Sequence, residues 1–200
     1  MTAKKRFEIS IIAALIFSVL LSMVRFEASC TELKEKVLRL HILANSDSKA
    51  DQELKLKVRD RLLELDIYDG AKEKSEAIKY SKDNLGLIIK EAERVIKEEG
   101  FNYKVSAEIT NCYFETRHYE SFSLPAGNYD ALRIKIGKAK GKIWWCVIFP
   151  KLCLGASIEK EADLTDSSKE ISKNPKDYKV KFKIVEFFGE IKNQIDTLFC

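Results

Sequence analysis

The chain has 200 residues, of which 35 are Lys or Arg and 31 are Asp or Glu, so its formal net charge is +4. Hydrophobic residues make up 46% and charged residues 33%, which is ordinary for a globular protein and excludes a disordered or collagen-like chain. Half of this small excess of positive charge lies in residues 1–30, so the rest of the chain is nearly neutral. It lacks the strong excess of basic residues that indicates nucleic-acid binding.

The N-terminus has the pattern of an export signal. A basic flank at residues 4–6 precedes an uncharged apolar stretch over residues 9–24. This stretch is just short of a bilayer span, and counting residues 7–26 lengthens it. Because a positive flank stays on the cytoplasmic side, the rest of the chain is predicted to lie outside the cytoplasm. Two interpretations stay open: residues 1–30 are a signal peptide cleaved after Cys30, or they are a retained signal anchor.

The first element predicted after this segment is a strand. Residues 37–44 alternate, with the apolar side chains on one face and Arg39 and His41 on the other. This period of two is typical of a half-buried strand. A polar run at residues 45–48 ends it.

Two helical stretches follow the strand. Ser48 and Asp51 have the spacing of a capping box, so a helix is predicted to open directly after Ser48. A second helical pattern covers residues 75–99 and is closed by Gly100, a favourable residue just past a helix C-terminus. Gly86 weakens this second pattern, so the helix is predicted to bend or split there.

The second half of the chain has strand patterns. Residues 103–110 and 131–136 alternate, and residues 125–128 carry turn residues. Residues 137–141 have the composition of a hairpin loop. Residues 143–149 are apolar throughout, which is typical of a central strand covered on both faces.

The C-terminal part is predicted to contain a loop and a helix. Residues 157–174 are charged and predict a solvated surface loop, and residues 175–199 predict a last helix with Pro175 at its first position. The order strand, helix, helix, three antiparallel strands, helix defines an α+β class. We therefore expect a two-layer sandwich over residues 31–200, with a mostly antiparallel sheet and helices on one face.

Few residues could carry catalysis or bind metal. The chain has two histidines, His41 and His118, and neither has metal-ligand spacing to a cysteine or to the other histidine. We expect no metal, no cofactor and no small-molecule substrate. A pairing of Cys146 with His41 leaves an exported Cys/His hydrolase as one alternative, and a membrane-anchored scaffolding domain is another.

The five cysteines offer one candidate disulfide. Cys146 and Cys153 flank a proline-containing segment that can turn, and an exported location permits the bond. The alternative is that both are small, reduced core residues. Cys112 and Cys200 are expected to be free.

The polar face of the first strand is the candidate contact surface. Arg39 and His41 share it, Arg133 joins them if its strand is adjacent, and one of the two tryptophans reaches the same side. Arginine beside an aromatic ring is common in protein contacts, although Arg39 paired with Glu108 would be purely structural. The candidates for partner contact are Arg39, His41, Asn45, Asp47, Arg117, Arg133, Trp144 and Trp145.

Five ordered segments resemble the stage II sporulation protein R family of endospore-forming bacteria. Their sequences are LRLHILANSDS at 38–48, DQ to KVRD at 51–60, TRHY at 116–119, LPAGNY at 124–129 and WWCVIFPKLC at 144–153. The resemblance covers roughly residues 33–155. Glu115, Ile143 and Lys151 depart from the family pattern and concern local turn geometry.

This resemblance implies a function that composition alone does not. A family member is made in the forespore and exported into the space between the two sporulation membranes. There it activates a membrane-embedded aspartic protease of the mother cell, which cleaves the precursor of sigma-E. The resemblance thus implies a signalling protein that is not an enzyme, either secreted or anchored through residues 7–26.

Export is predicted to depend on the apolar stretch. Replacing Ala14 and Leu20 by Asp should block translocation, because a charge at the centre of such a segment costs about 2.5–3.5 kcal/mol on insertion scales. A reporter fused after residue 200 measures this. A reporter that still reaches the outside would contradict the assignment of residues 1–30.

Overall fold

The computed structural model describes residues 2–119, 122–150, 168–169, 178 and 181–187. Residues 181–187 are helical. In chain order the other elements are α1 (Ala3–Lys36), β1 (Leu38–Leu43), α2 (Lys49–Leu63), a short 3-10 helix (Asp66–Tyr68), α3 (Lys74–Asp83), α4 (Leu85–Glu98), β2 (Val105–Phe114), β3 (Arg117–His118), β4 (Ser123–Leu124), β5 (Gly127–Ile136) and β6 (Ile143–Phe149).

The chain divides into two compact units. The first comprises Met1–Lys34, Glu115–Gly127 and Leu164–Cys200, and it contains α1 up to Lys34 and the paired strands β3 and β4. The second comprises Glu35–Phe114 and Asn128–Asp163 and holds the helices α2 to α4 and a four-stranded sheet.

The four-stranded sheet has the order β2-β5-β1-β6. β1 runs parallel to β5 and antiparallel to β6, so it lies between two strands that follow each other in sequence. The predicted hairpin at residues 137–141 is therefore wrong, because this loop crosses the end of β1 instead of joining neighbouring strands. The predicted central position of residues 143–149 is also wrong, since β6 is the last of the described strands on its side.

The helices cover one face of this sheet. Leu38, Leu40 and Ile42 of β1 pack in one hydrophobic core with Leu54 and Val58 of α2. The two-layer α+β arrangement with helices on one face is confirmed. All six residues of β1 are buried, however, so the prediction of a half-buried strand is wrong. A strand in the middle of a sheet that is covered on both faces has no solvent side.

The local helix signals are confirmed. The Ser48 side chain accepts a hydrogen bond from the backbone N–H of Asp51 at 3.1 Å, which caps α2. The second helical pattern splits at Asn84 into α3 and α4, two residues before Gly86. Gly100 follows α4 with a φ of 81°, in the left-handed region that glycine tolerates best.

Most of the predicted C-terminal loop and helix lies outside the described residues. Ser168 falls within the predicted surface loop at residues 157–174, but it is helical and fully buried, so the prediction is wrong at that position. The helical residues 181–187 agree with the helix predicted over residues 175–199.

The loop between β5 and β6 is held against the end of β1. The backbone N–H of Gly141 donates to the carbonyl of Ala44 at 2.9 Å, and that of Lys140 donates to the carbonyl of Asn45 at 3.2 Å. A Cβ atom at position 141 would lie 2.1 Å from the carbonyl oxygen of Ser46. Only glycine lets these two backbone segments approach so closely.

Replacing Gly141 with Ala is therefore expected to destabilise the protein by about 1–3 kcal/mol, the usual cost of overpacking. Gly86→Ala is the matched control, since a Cβ atom there meets nothing within 4 Å and alanine favours the helix. Chemical denaturation of both variants measures the free energy of unfolding. Equal stability of the two variants would contradict the close approach.

Candidate functional site

The polar run after β1 forms a hydrogen-bonded network. Asn45 Nδ2 donates to Asp51 Oδ2 at 2.9 Å, and Ser46 Oγ donates to the same oxygen at 2.5 Å. Asn45 Oδ1 accepts from the backbone N–H of Lys138 at 3.0 Å. Asp47 Oδ1 accepts from the backbone N–H of Lys142 at 2.6 Å. Asn45 and Asp47 therefore hold the β5–β6 loop in place.

Asp51 is the buried centre of this network, with 4% of its surface exposed. Burial acts to raise the pKa of Asp51, but hydrogen bonds from Ser46, Asn45, Tyr103 and Ser48 outweigh it and hold the pKa below its usual value. The carboxylate thus stays ionised and joins the end of β1, the first turn of α2 and the segment before β2. The network is therefore structural, and it is built from the end of the first segment that resembles the family, residues 38–48.

Arg39 and His41 do not form an open surface, and that prediction is wrong. Arg39 is 0% exposed and His41 is 5% exposed. The Arg39 guanidinium carbon lies 4.0 Å from the ring centre of Phe114 and 4.9 Å from that of Tyr129. Aromatic side chains from β2 and β5 therefore cover the arginine on the face away from the helices.

His41 lies beside this arginine in an aromatic stack. Its ring is nearly parallel to the Trp145 ring at 4.5 Å and meets the edge of Phe114 at 6.0 Å. Neither ring nitrogen has a hydrogen-bond partner among the described residues. Burial, together with the charges of Arg133 and Arg39, lowers the pKa of His41 to about 4. The imidazole is therefore neutral at physiological pH.

Register brings a second cation, Arg133, to the same face. His41 is opposite Arg133 on β5 and opposite Trp145 on β6, so these three residues form a row across the sheet. Arg133 is half-buried, and its Nε atom has no hydrogen-bond partner in the described part of the chain. The prediction that Arg133 and one tryptophan join the face of Arg39 and His41 agrees with this register.

The two tryptophans lie on opposite faces, as alternation predicts. Trp144 packs against the hydrophobic core on the helix side, where the guanidinium of Arg59 lies 4.3 Å from its ring centre. Trp145 is half-buried on the other face. Trp144 therefore serves the core of the sheet, and Trp145 borders the surface.

Glu108 has a different partner from the one considered in the sequence analysis. Its carboxylate forms a salt bridge with Lys135 at 2.7 Å. This ion pair joins β2 to β5 next to Arg133. The hydrogen bond from Lys135 is the main cause that lowers the pKa of Glu108, and the charge of Arg133 lowers it further. Arg39 is packed by aromatic rings rather than braced by Glu108.

Arg117 belongs to the other compact unit. It lies on β3, is partly exposed and forms a salt bridge with Glu115 at 3.8 Å. Arg117 is therefore not part of the unit that holds Arg133, His41 and Trp145.

The proposed Cys146–His41 nucleophile pair is ruled out by geometry. Cys146 is opposite Leu40 and packs in the core on the helix face, whereas His41 points to the other face. Cys146 is disulfide-bonded, so it carries no reactive thiol. Cys30 and Cys112 are free, and the predicted partner, Cys153, lies outside the described residues.

Within the described residues, no group of three His, Cys, Asp or Glu side chains has the arrangement of a metal site.

Two residues of the face were missed in the sequence analysis. Phe114 and Tyr129 provide the rings around Arg39 and also meet each other edge to face at 5.6 Å. The alternation of β2 continues past Ile109 and puts Phe114 on the face opposite the core. Continuing the alternation from residue 110 to residue 114 would have placed Phe114 on this face.

These features define a class: an α+β protein with a long, exposed, apolar N-terminal helix and a sheet whose second face carries arginine and aromatic side chains. Residues 34–160 match the stage II sporulation protein R family. Stage II sporulation protein R of Bacillus subtilis (strain 168) is 33% identical over 157 residues, which cover 74% of this chain and 70% of that protein. No solved structure matches the chain. The chain belongs to the stage II sporulation protein R family.

The depressed pKa of His41 predicts a loss of stability in mild acid. Its folded pKa of about 4 is below the ordinary value of 6.5, so the unfolded chain binds the proton more readily between these values. Stability is fully present above pH 6.5 and should fall by about 2–3 kcal/mol as the pH drops to 4, at about 1.4 kcal/mol per pKa unit.

Urea denaturation at several pH values measures this loss. His41→Phe is the control, since it keeps the stack with Trp145 but cannot take up a proton. An unchanged pH dependence in His41→Phe would show that His41 is not the cause.

Proposed function

We propose that this protein is an exported sporulation signal that activates a membrane-embedded aspartic protease of the mother cell, which then processes the precursor of sigma-E. Membership of the stage II sporulation protein R family is the observation that carries the proposal. The apolar N-terminal helix is compatible with a signal or membrane anchor and supports a location between the forespore and mother-cell membranes.

Signalling by binding, without catalysis, fits the described chemistry. The one nucleophile pair considered from the sequence is separated by the sheet, and its cysteine is disulfide-bonded. The sheet face opposite the helices presents cationic and aromatic side chains. A partner can bind to these side chains without any covalent step.

The contact surface is proposed to be the exposed border of that face, formed by Arg133, Lys135 and Trp145 and named here the Arg133 border. These three side chains are half-buried, whereas Arg39 and His41 on the strand between them are buried. Arg39 and His41 therefore serve to position the border: the stacked His41 ring holds Trp145, and its neutrality avoids a third charge next to Arg133.

Charge indicates what the border binds. Arg133 and Lys135 give this face positive charge, and Glu108 forms its salt bridge with Lys135. The guanidinium of Arg133 can form a two-point contact with a carboxylate, and Trp145, two strands away on the same face, offers a ring for stacking. An acidic side chain on the extracytoplasmic part of the protease is the proposed complement.

Arg133→Ala is expected to weaken protease activation about thirtyfold or more at limiting concentration, as for a contact worth about 2 kcal/mol. Cleavage of the sigma-E precursor is measured after reconstituting the full chain with the protease in membranes. Arg133→Glu should abolish activation, because it sets like charges against each other. Arg94→Ala is the matched control, since Arg94 is partly exposed on α4 and pairs with Glu91 and Glu98.

Thermal melting of each variant separates contact from folding. Normal melting with reduced activation supports the Arg133 border. Normal activation by both Arg133 variants would move the contact surface elsewhere. If the unaltered chain fails to increase cleavage at all, the proposed function itself is contradicted.

A further inference from the structure

The second half of α1 is part of the folded protein. α1 continues without interruption from Ala3 to Lys36. Its apolar stretch is exposed, with none of the most apolar window buried, so it is not a core helix. Beyond this stretch the same helix buries Phe26 at 2% exposure and both Cys30 and Leu33 at 0%. One helix thus has an exposed apolar half and a buried half.

Contacts within the first compact unit explain this burial. The Phe26 ring stacks on Tyr178 at 5.7 Å and meets the edge of Phe182 at 5.2 Å. Phe26, Cys30 and Phe182 form a separate hydrophobic cluster. Ser168 Oγ also donates to the backbone carbonyl of Ser29 at 3.3 Å. Residues 168, 178 and 182 therefore pack against or hydrogen-bond to the helix between positions 26 and 30.

A polar and aromatic belt separates the two halves of α1. Lys181 Nζ donates to Ser22 Oγ at 2.6 Å and lies 5.7 Å from the Phe26 ring centre and 5.5 Å from that of Tyr178. Arg25 lies at the same level of the helix and is exposed. Aromatic rings together with long basic side chains are typical of the boundary between a bilayer and water, where a lysine extends its charge to the headgroups.

We infer that α1 is retained as a signal anchor, with residues 7–26 crossing the lipid bilayer and the outer bilayer boundary at the belt of residues that ends at Phe26. Cleavage after Cys30 would remove Phe26, the ring against which Tyr178 and Phe182 pack, and the carbonyl that Ser168 binds. The fold therefore requires the residues that a cleaved signal peptide would take away. Residues 7–26 of the helix rise about 30 Å, which matches the hydrocarbon core, while the second half of α1 stays folded outside.

This inference goes beyond the proposed function and does not rest on it. A protein that activates no protease can still be anchored, and a released protein can still activate one. Failure of one proposal therefore leaves the other to its own test.

The direct test is the N-terminus of the mature protein. The full chain with a tag after residue 200 is produced in a spore-forming bacterium, and membranes are washed with alkaline carbonate. We expect the protein to stay in the membrane fraction and its tryptic fragments to include Cys30 joined to residues before it. A mature N-terminus at or near Thr31, in the soluble fraction, would overturn the inference.

A second test asks whether Phe26 belongs to the folded body. In detergent micelles, Phe26→Ala should lower the melting temperature by about 10 °C, since it empties a buried aromatic position. Phe17→Ala is the matched control on the same helix, because Phe17 is 68% exposed and should leave the melting temperature unchanged. Equal melting of the two variants would contradict the inference. A smaller loss in Phe26→Leu than in Phe26→Ala would identify packing as the cause.

Discussion

The buried carboxylate of Asp51 is the constraint on which the sheet unit depends. It accepts hydrogen bonds from Asn45 and Ser46 at the end of β1, while its own backbone N–H is capped by Ser48. Leaving such a group without partners would cost about 1–3 kcal/mol or more, so the surrounding polar residues are required together. With Asn45 and Asp47 also binding the β5–β6 loop, one network fixes where β1 ends, where α2 begins and how the chain crosses β1.

This constraint changes which residues are candidates for function. The segment at residues 38–48 is the most specific part of the resemblance to the family. From the sequence alone, its polar residues are therefore candidates for contact with a partner. In the structure Arg39 and His41 are buried among aromatic rings, and Asn45 and Asp47 are engaged with backbone groups. The segment therefore specifies the fold.

Local features were predictable from the sequence because their causes are local. The Ser48 cap, the break between α3 and α4 and the positive φ of Gly100 each depend on a few neighbouring residues. Alternation also predicted correctly that Trp144 and Trp145 lie on opposite faces. The family was recognisable from the same ordered segments that match it.

The errors came from long-range pairing. A period of two shows that Arg39 and Leu40 point in opposite directions, but it does not show what covers either face. β1 lies between β5 and β6, about 90 residues away in sequence, and that order decided both the burial of Arg39 and the crossover at residues 137–141. The aromatic cover from Phe114 and Tyr129 depends on the same pairing.

We conclude that the network around Asp51 acts through the fold and not as a contact surface. The most direct measurement is thermal melting and protease activation of Asp51→Asn in the same preparation. We expect earlier melting, with activation falling only in proportion to the unfolded fraction and returning at lower temperature. Normal melting with lost activation would contradict it, because Asp51 and its neighbours would then act on the partner directly.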